Sequence, residues 1–149
     1  MPRFDPERLL RLVSQMNGAV AQLQRLKTSP EDVFFSDADK IASAKYHLIV
    51  AIESCIDICN HVISQNGFRV PEDYADTFGV MTEAGALEKE FADRLKDMAK
   101  FRNRLVHIYW EVDERQIHEI LRTRLGDFGA FVSALSNFLG WGGGLINHD

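Results

Sequence analysis

The sequence of 149 residues holds two cysteines and four prolines. It has no apolar run as long as the roughly 18 residues that mark a membrane-crossing helix. Two cysteines exclude the disulfide framework of a small secreted domain. Cys55 and Cys59 stand four apart, so they share one face of a helix, and no second ligand pair completes a metal site around them. They read as reduced packing residues. The opening residues Met1-Pro2-Arg3-Phe4-Asp5 lack the apolar stretch of a secretion signal, and a cytoplasmic location is expected. A formal net charge of -5 excludes uniform electrostatic attraction to nucleic acid. Alternating strand patterns and internal repeats are absent too.

What is present is helical periodicity. The first helix is expected to start at the cap Asp5, with Pro6 in the favoured first-turn position. Its apolar residues Leu9, Leu12, Val13, Met16, Val20, Leu23 and Leu26 recur at helical spacing, and Thr28-Ser29-Pro30 ends it. A second, longest helix is expected from the cap Ser36, with Asp39 in a capping-box position, to the stop Asn66-Gly67. Its stripe runs through Ile41, Ala44, Leu48, Ala51, Ile52, Cys55, Ile58, Cys59, Val62 and Ile63. Pro71 opens a short helix to about Glu83, weakened by Gly79 and ended by Gly85. A fourth helix runs from about Leu87, and a fifth from the cap Asp113 to Leu139. Gly126 and Gly129 mark a kink or a close packing contact in the fifth. The expected fold is all-α, an up-down bundle of four long helices and one short one. Residues 1–140 form a single domain, and 141–149 a flexible glycine-rich tail.

Charge is concentrated in one place. Between Arg94 and Arg104 stand Arg94, Lys96, Lys100, Arg102 and Arg104 with Asp97 as the sole acid, a local balance of +4. This run leads into Phe101-Arg102-Asn103-Arg104-Leu105-Val106-His107-Ile108-Tyr109. An arginine can clamp a phosphate with two parallel hydrogen bonds, and a histidine can move a proton near neutral pH. Together they point to chemistry on a phosphodiester. Helical spacing places Asn103 beside His107 and aligns Arg102 with Tyr109. Arg102 and His107, however, diverge by about 140° at about 100° per residue. Three arrangements bring them to one substrate: a helix that loosens near its end, an arginine that reaches around, or a site shared by two subunits. A second polar group lies on the longest helix, where Glu53, Asp57 and His61 follow at four-residue steps with Asn60 beside them. That row either faces a cleft and orders Arg102 and His107, or is a solvated stripe.

The order Arg-x4-His-x-Tyr resembles the signature of the HEPN superfamily, and within it the HepT toxins. The resemblance extends to Val112-Asp113, to Ala51–Ile63 and to Pro71–Phe78, and spans about residues 5 to 139. It implies a HEPN-like fold, a homodimer and a metal-independent RNA endonuclease without a catalytic cofactor. Arg102 and His107 would be catalytic, with Asn103, Glu53 and Asp57 in support and Lys100 and Arg104 on the RNA backbone. It also implies a type VII toxin–antitoxin pair. There a MntA-type nucleotidyltransferase antitoxin uses ATP to add AMP groups to Tyr109 and so silences the ribonuclease, in a complex that can be larger than the dimer. A different class remains open: a non-catalytic helical subunit that binds nucleotide or positions substrate for the nucleotidyltransferase.

Overall fold

The computed structural model describes residues 1–141. Within them the chain forms helices α1 (Pro6–Lys27), α2 (Glu31–Ser36), α3 (Ala38–Asn66), α4 (Tyr74–Glu83), α5 (Lys89–His107), α6 (Glu114–Thr123) and α7 (Gly126–Leu139). A single 3-10 turn, Tyr109–Glu111, follows α5. No strand occurs among the described residues, as the periodicity implies.

α3 is the axis of the bundle. It buries residues on most of its circumference, from Ile41 to Ile63. α1 lies along it, and α5 packs against α3 and α4. By length and hydropathy α3 could cross a membrane, but the larger part of its most apolar stretch is buried inside the bundle. Cys55 and Cys59 are free and fully inside; burial pushes both thiols well above their ordinary range. Cys55 packs its sulfur 3.6 Å from that of Met16 on α1. Phe34, Phe78, Phe128 and Phe131 fill the rest of the core, with Phe78 and Phe131 edge to face at 6.2 Å.

Three sequence expectations are revised. A six-residue helix, α2, stands before α3, pinned by the fully buried Phe34. Ser36 therefore ends α2 instead of capping α3, and Asp37 takes the cap, accepting from the N–H groups of Asp39 and Lys40 at 3.0 and 3.2 Å. Likewise α4 begins at the Asp73 cap, beyond Pro71. The expected fifth helix is two helices, separated at Arg124 and Leu125. A Cβ at Gly126 or Gly129 would meet nothing within 4 Å, so close packing does not require either glycine. Gly79 has the opposite reason: a Cβ would come 2.9 Å from the Asp76 carboxylate, which Arg69 holds from the preceding loop. Of the expected tail, 141–149, the described residues include Trp141. Gly140 is a left-handed helix cap, and the Trp141 ring sits 5.2 Å from that of Phe4. Residues 142–149 lie outside the described residues.

The N-terminus is strapped to the end of α3. Asn66 accepts from Arg3 N–H at 2.7 Å and donates to its carbonyl at 2.9 Å. The His61 Nε2 atom accepts from the N–H of Asp5, the α1 cap, at 2.9 Å. That bond requires His61 to be neutral. Burial, and then the Arg8 charge, lower its pKa below the ordinary 6.5, against a smaller opposing effect of Asp5. A histidine whose folded pKa is depressed gives its full stabilisation above the unfolded value and loses it as pH falls below about 6.5. The expected loss is about 1 kcal/mol, the worth of one hydrogen bond. Thermal melts at successive pH values check this. His61→Gln, which keeps an untitratable acceptor, should flatten the acid limb of the curve. Identical limbs in both proteins would rule the strap out as the cause.

Candidate active site at the end of α5

The segment that carries the arginine, asparagine and histidine is the last two turns of α5. The apolar spacing of Leu95, Met98, Phe101 and Leu105 turns those residues inward. The same spacing leaves Lys100, Asn103, Arg104 and His107 together on an outward face, three and four residues apart. The helix runs unbroken to His107, and the Ile108 N–H closes it on the Arg104 carbonyl at 2.8 Å. It does not loosen to swing His107 toward Arg102. Beyond it Ile108 leaves helical geometry and Tyr109 enters the 3-10 turn. The seven-residue alignment of Arg102 with Tyr109 is thereby lost.

Arg102 points to α3. Its Nε and one terminal nitrogen donate to the same Glu53 oxygen, the first at 2.9 Å, and the other terminal nitrogen donates to the Asn103 amide oxygen at 3.0 Å. The Tyr74 ring of α4 covers the guanidinium at 4.7 Å. The arginine side chain is only 12% exposed, so its plane is fixed in an environment where charge interactions are weakly screened. Three of its five N–H groups are engaged and two remain for an anion. Asn103 thus orients Arg102, and not His107, within the chain. Asp57, one turn beyond Glu53, is at the surface with its pKa raised. Desolvation contributes most, then the Glu53 charge, and Arg8 and Arg102 oppose them. The expected polar row is real but divides in two. Glu53 bonds to the arginine and Asp57 is close enough to feel its charge, whereas the third member, His61, binds the N-terminus.

The basic run is less free than its count suggests. Arg94 pairs with Asp127, Lys96 with Asp93, and Arg102 with Glu53. Lys100 has no ion-pair partner among the described residues, and Arg104 donates to the neutral Gln116 at 3.0 Å. These two are the members of the run that carry no ion pair among the described residues. His107 is exposed beside them, and so are Val106 and Trp110, the latter 77% exposed. No group of three or more His, Cys, Asp or Glu side chains able to hold a metal ion occurs among the described residues.

Tyr109 stands apart from this face. Its carbonyl accepts from the Lys45 ammonium at 2.8 Å, and its ring lies under the same ammonium at 4.2 Å. Neither Lys45 nor Tyr74 emerges from the motif itself. Lys45 had a sequence signal: it continues the row of Glu53, Asp57 and His61 backward by two four-residue steps, inside an apolar stripe. Tyr74 had none.

A family model described as ribonuclease HepT-like matches residues 16–135. An mRNA nuclease HepT from Shewanella oneidensis is 30% identical over 83 residues, which cover 56% of this chain and 62% of that protein. The chain thus matches less than two thirds of that relative's length. A putative RNase from Archaeoglobus fulgidus is 30% identical over 112 residues, 74% of this chain and 77% of that one. Among solved structures, the tri-AMPylated Shewanella oneidensis HEPN toxin in complex with MNT antitoxin superposes with a TM-score of 0.80 at 23% identity, covering 87% of this chain and 96% of that one. The cytosolic protein YutE from Bacillus subtilis gives 0.80 at 18% identity over 99% of each chain. Below 25% identity these superpositions speak for the fold alone. The family model, however, takes in the core of the bundle and the whole Arg102–Tyr109 motif, and the chain belongs to the ribonuclease HepT-like family.

Proposed function

We propose that this chain is a metal-independent endoribonuclease, the toxin of a toxin–antitoxin pair that acts in the cytoplasm. The observation that carries this reading is the fixed guanidinium of Arg102, oriented by Glu53 and Asn103, on the helix that ends in the exposed His107. Arg102 receives the scissile phosphate through its remaining N–H groups and stabilises the charge that builds there. His107 takes the proton of the ribose 2′-hydroxyl, whose oxygen attacks phosphorus as the bond to the leaving 5′-oxygen breaks. That oxygen is then protonated by a second acid. RNA alone carries the 2′-hydroxyl, so the activity is confined to RNA. Lys100 and Arg104 hold neighbouring phosphates. No catalytic cofactor enters the scheme.

One chain supplies its arginine and histidine on divergent faces of a straight helix. A homodimer with a two-fold axis resolves this, because it brings two copies of the motif to one cleft and supplies one histidine as base and another as acid. The exposed Val106 and Trp110 beside His107 favour such a contact.

Regulation falls to Tyr109, which is 38% exposed. A MntA-type nucleotidyltransferase antitoxin carries ATP, and the phenolic oxygen of Tyr109 attacks its α-phosphorus and releases pyrophosphate. The phenolic proton passes to solvent. The added AMP blocks RNA by volume and by like charge. The modification of the Shewanella oneidensis toxin and its complex with MNT antitoxin support this partner.

Arg102→Ala and His107→Ala should each lower RNA cleavage roughly a hundredfold or more in the presence of a chelator, within the range of a lost general acid–base group. Cleavage of a labelled RNA measures it, and wild-type rates in either variant would sink the mechanism. Tyr109→Phe should cleave RNA normally and stay toxic to cells that express an active antitoxin. Growth rescue of that variant by the antitoxin would show that silencing runs through another residue.

A further inference from the structure

Lys45 is the one charged side chain buried among the apolar residues of the core helix, 7% exposed. An ammonium withdrawn from water is costly unless it is bonded. Here its polar contact is the Tyr109 carbonyl, and its other neighbour is the face of the Tyr109 ring. A carbonyl and a ring leave an ammonium with donor capacity to spare, since it has three N–H groups. Beside this pair a groove of about 290 Å³ opens between α3, the end of α2 and the start of α6. Phe35, Ile41 and Ala42 give it apolar walls, Lys45 and Tyr109 stand at one side, and Glu114 is its sole carboxylate. The volume is near the lower end of small-ligand sites, about 300 Å³.

We propose that this groove is the docking site of the adenylyl group carried by Tyr109, with Lys45 as the residue that grips its phosphate. This inference rests on Tyr109 being the modified residue. The phosphate joined to the phenolic oxygen stands at the edge of a ring whose face already carries the ammonium. A spare N–H of Lys45 reaches a phosphate oxygen by rotation of its flexible stem. The apolar walls take the adenine, and Glu114 accepts from a ribose hydroxyl or the adenine amino group. One nucleotide fills the volume, so further AMP units extend outward to the face that RNA approaches. The Lys45 contact to the Tyr109 carbonyl also fixes the turn in the unmodified protein, which presents the phenol in one pose.

The test uses the full chain modified by its purified nucleotidyltransferase and ATP, with intact mass as readout. A nonspecific phosphodiesterase then removes the AMP. Lys45→Met should lose AMP roughly tenfold faster than wild type, the size of one lost charge-assisted hydrogen bond, and Lys45→Arg should restore protection. Ala42→Phe, a surface change that fills the groove and keeps the lysine, should also speed removal. It covers the case in which Lys45→Met fails to fold. Equal removal rates in wild type, Lys45→Met and Ala42→Phe would overturn the docking site while Tyr109 modification stands. Absence of any added mass on wild-type Tyr109 would instead overturn the regulatory reading beneath it. RNA cleavage by unmodified Lys45→Met that falls by the same factor would assign the groove to RNA and reject the proposal.

Discussion

The bundle depends on one constraint: α3 is buried on most sides, yet it carries ionisable side chains that must be satisfied inside the fold. Lys45, Glu53 and His61 recur every eight residues, about 12 Å apart at about 1.5 Å per residue. Each reaches a different distant segment. His61 accepts from the cap of α1, Glu53 receives Arg102 of α5, and Lys45 binds the turn beyond α5. The apolar stripe supplies the drive to collapse, but apolar packing alone leaves the sliding of one helix along another weakly specified. The polar row specifies which residue of each neighbour must stand opposite which residue of α3. A shift of one residue would strand a charge, and a stranded buried charge costs far more than a displaced methyl group.

The same row explains why structure and chemistry are hard to separate here. Glu53 can be described as the partner that makes a poorly exposed arginine tolerable, or as the device that aims it. Both follow from the short contacts to one carboxylate oxygen. The arginine is then held in one plane before any substrate arrives, so less freedom is lost when a phosphate binds. The raised pKa of Asp57 reflects its desolvation first and then the neighbouring Glu53 charge, partly offset by Arg8 and Arg102. A binding phosphate would add further negative charge to this region. On the proposed mechanism the two acids would tune how strongly Arg102 attracts it.

Much of this was legible in the sequence, and the failures have specific causes. The stripe of α3 and the cap at Asp5 were readable because they rest on local rules of period and capping. α2 was missed because six residues give too short a window for periodicity, although Pro30 before two acids is a helix-start pattern. The division of the fifth helix lay behind Gly126 and Gly129, which carry no sign of whether they bend a helix or end it. The basic run showed as a count of charges. Lys96 pairs locally with Asp93, but Arg94 and Arg102 are neutralised by Asp127 and Glu53, 33 and 49 residues away in the chain, and no local pattern reports such pairs. The motif was found by its residues, but its geometry was not. The turn after His107 breaks the helical register on which the expected alignment of Arg102 with Tyr109 relied.

That break separates two tasks. Had α5 continued one more turn, Tyr109 would have stood above Arg102, and modification of the phenol would compete directly with the residue that holds substrate. Instead the chain turns at Ile108, and the Lys45 ammonium ties Tyr109 to the first turns of α3. As a proposed regulatory handle, Tyr109 would carry a first nucleotide in the Lys45 groove and further units toward the His107 face. Its unmodified form bonds to Lys45, while Arg102 bonds to Glu53 and Asn103. A regulatory handle works best under these two conditions, since it must be silent when bare and obstructive when loaded. The straight end of α5 meets the first condition within one chain, but it also keeps Arg102 and His107 on different faces. On the proposed mechanism two copies of such a helix would share one site, and Val106 and Trp110 are exposed near its end.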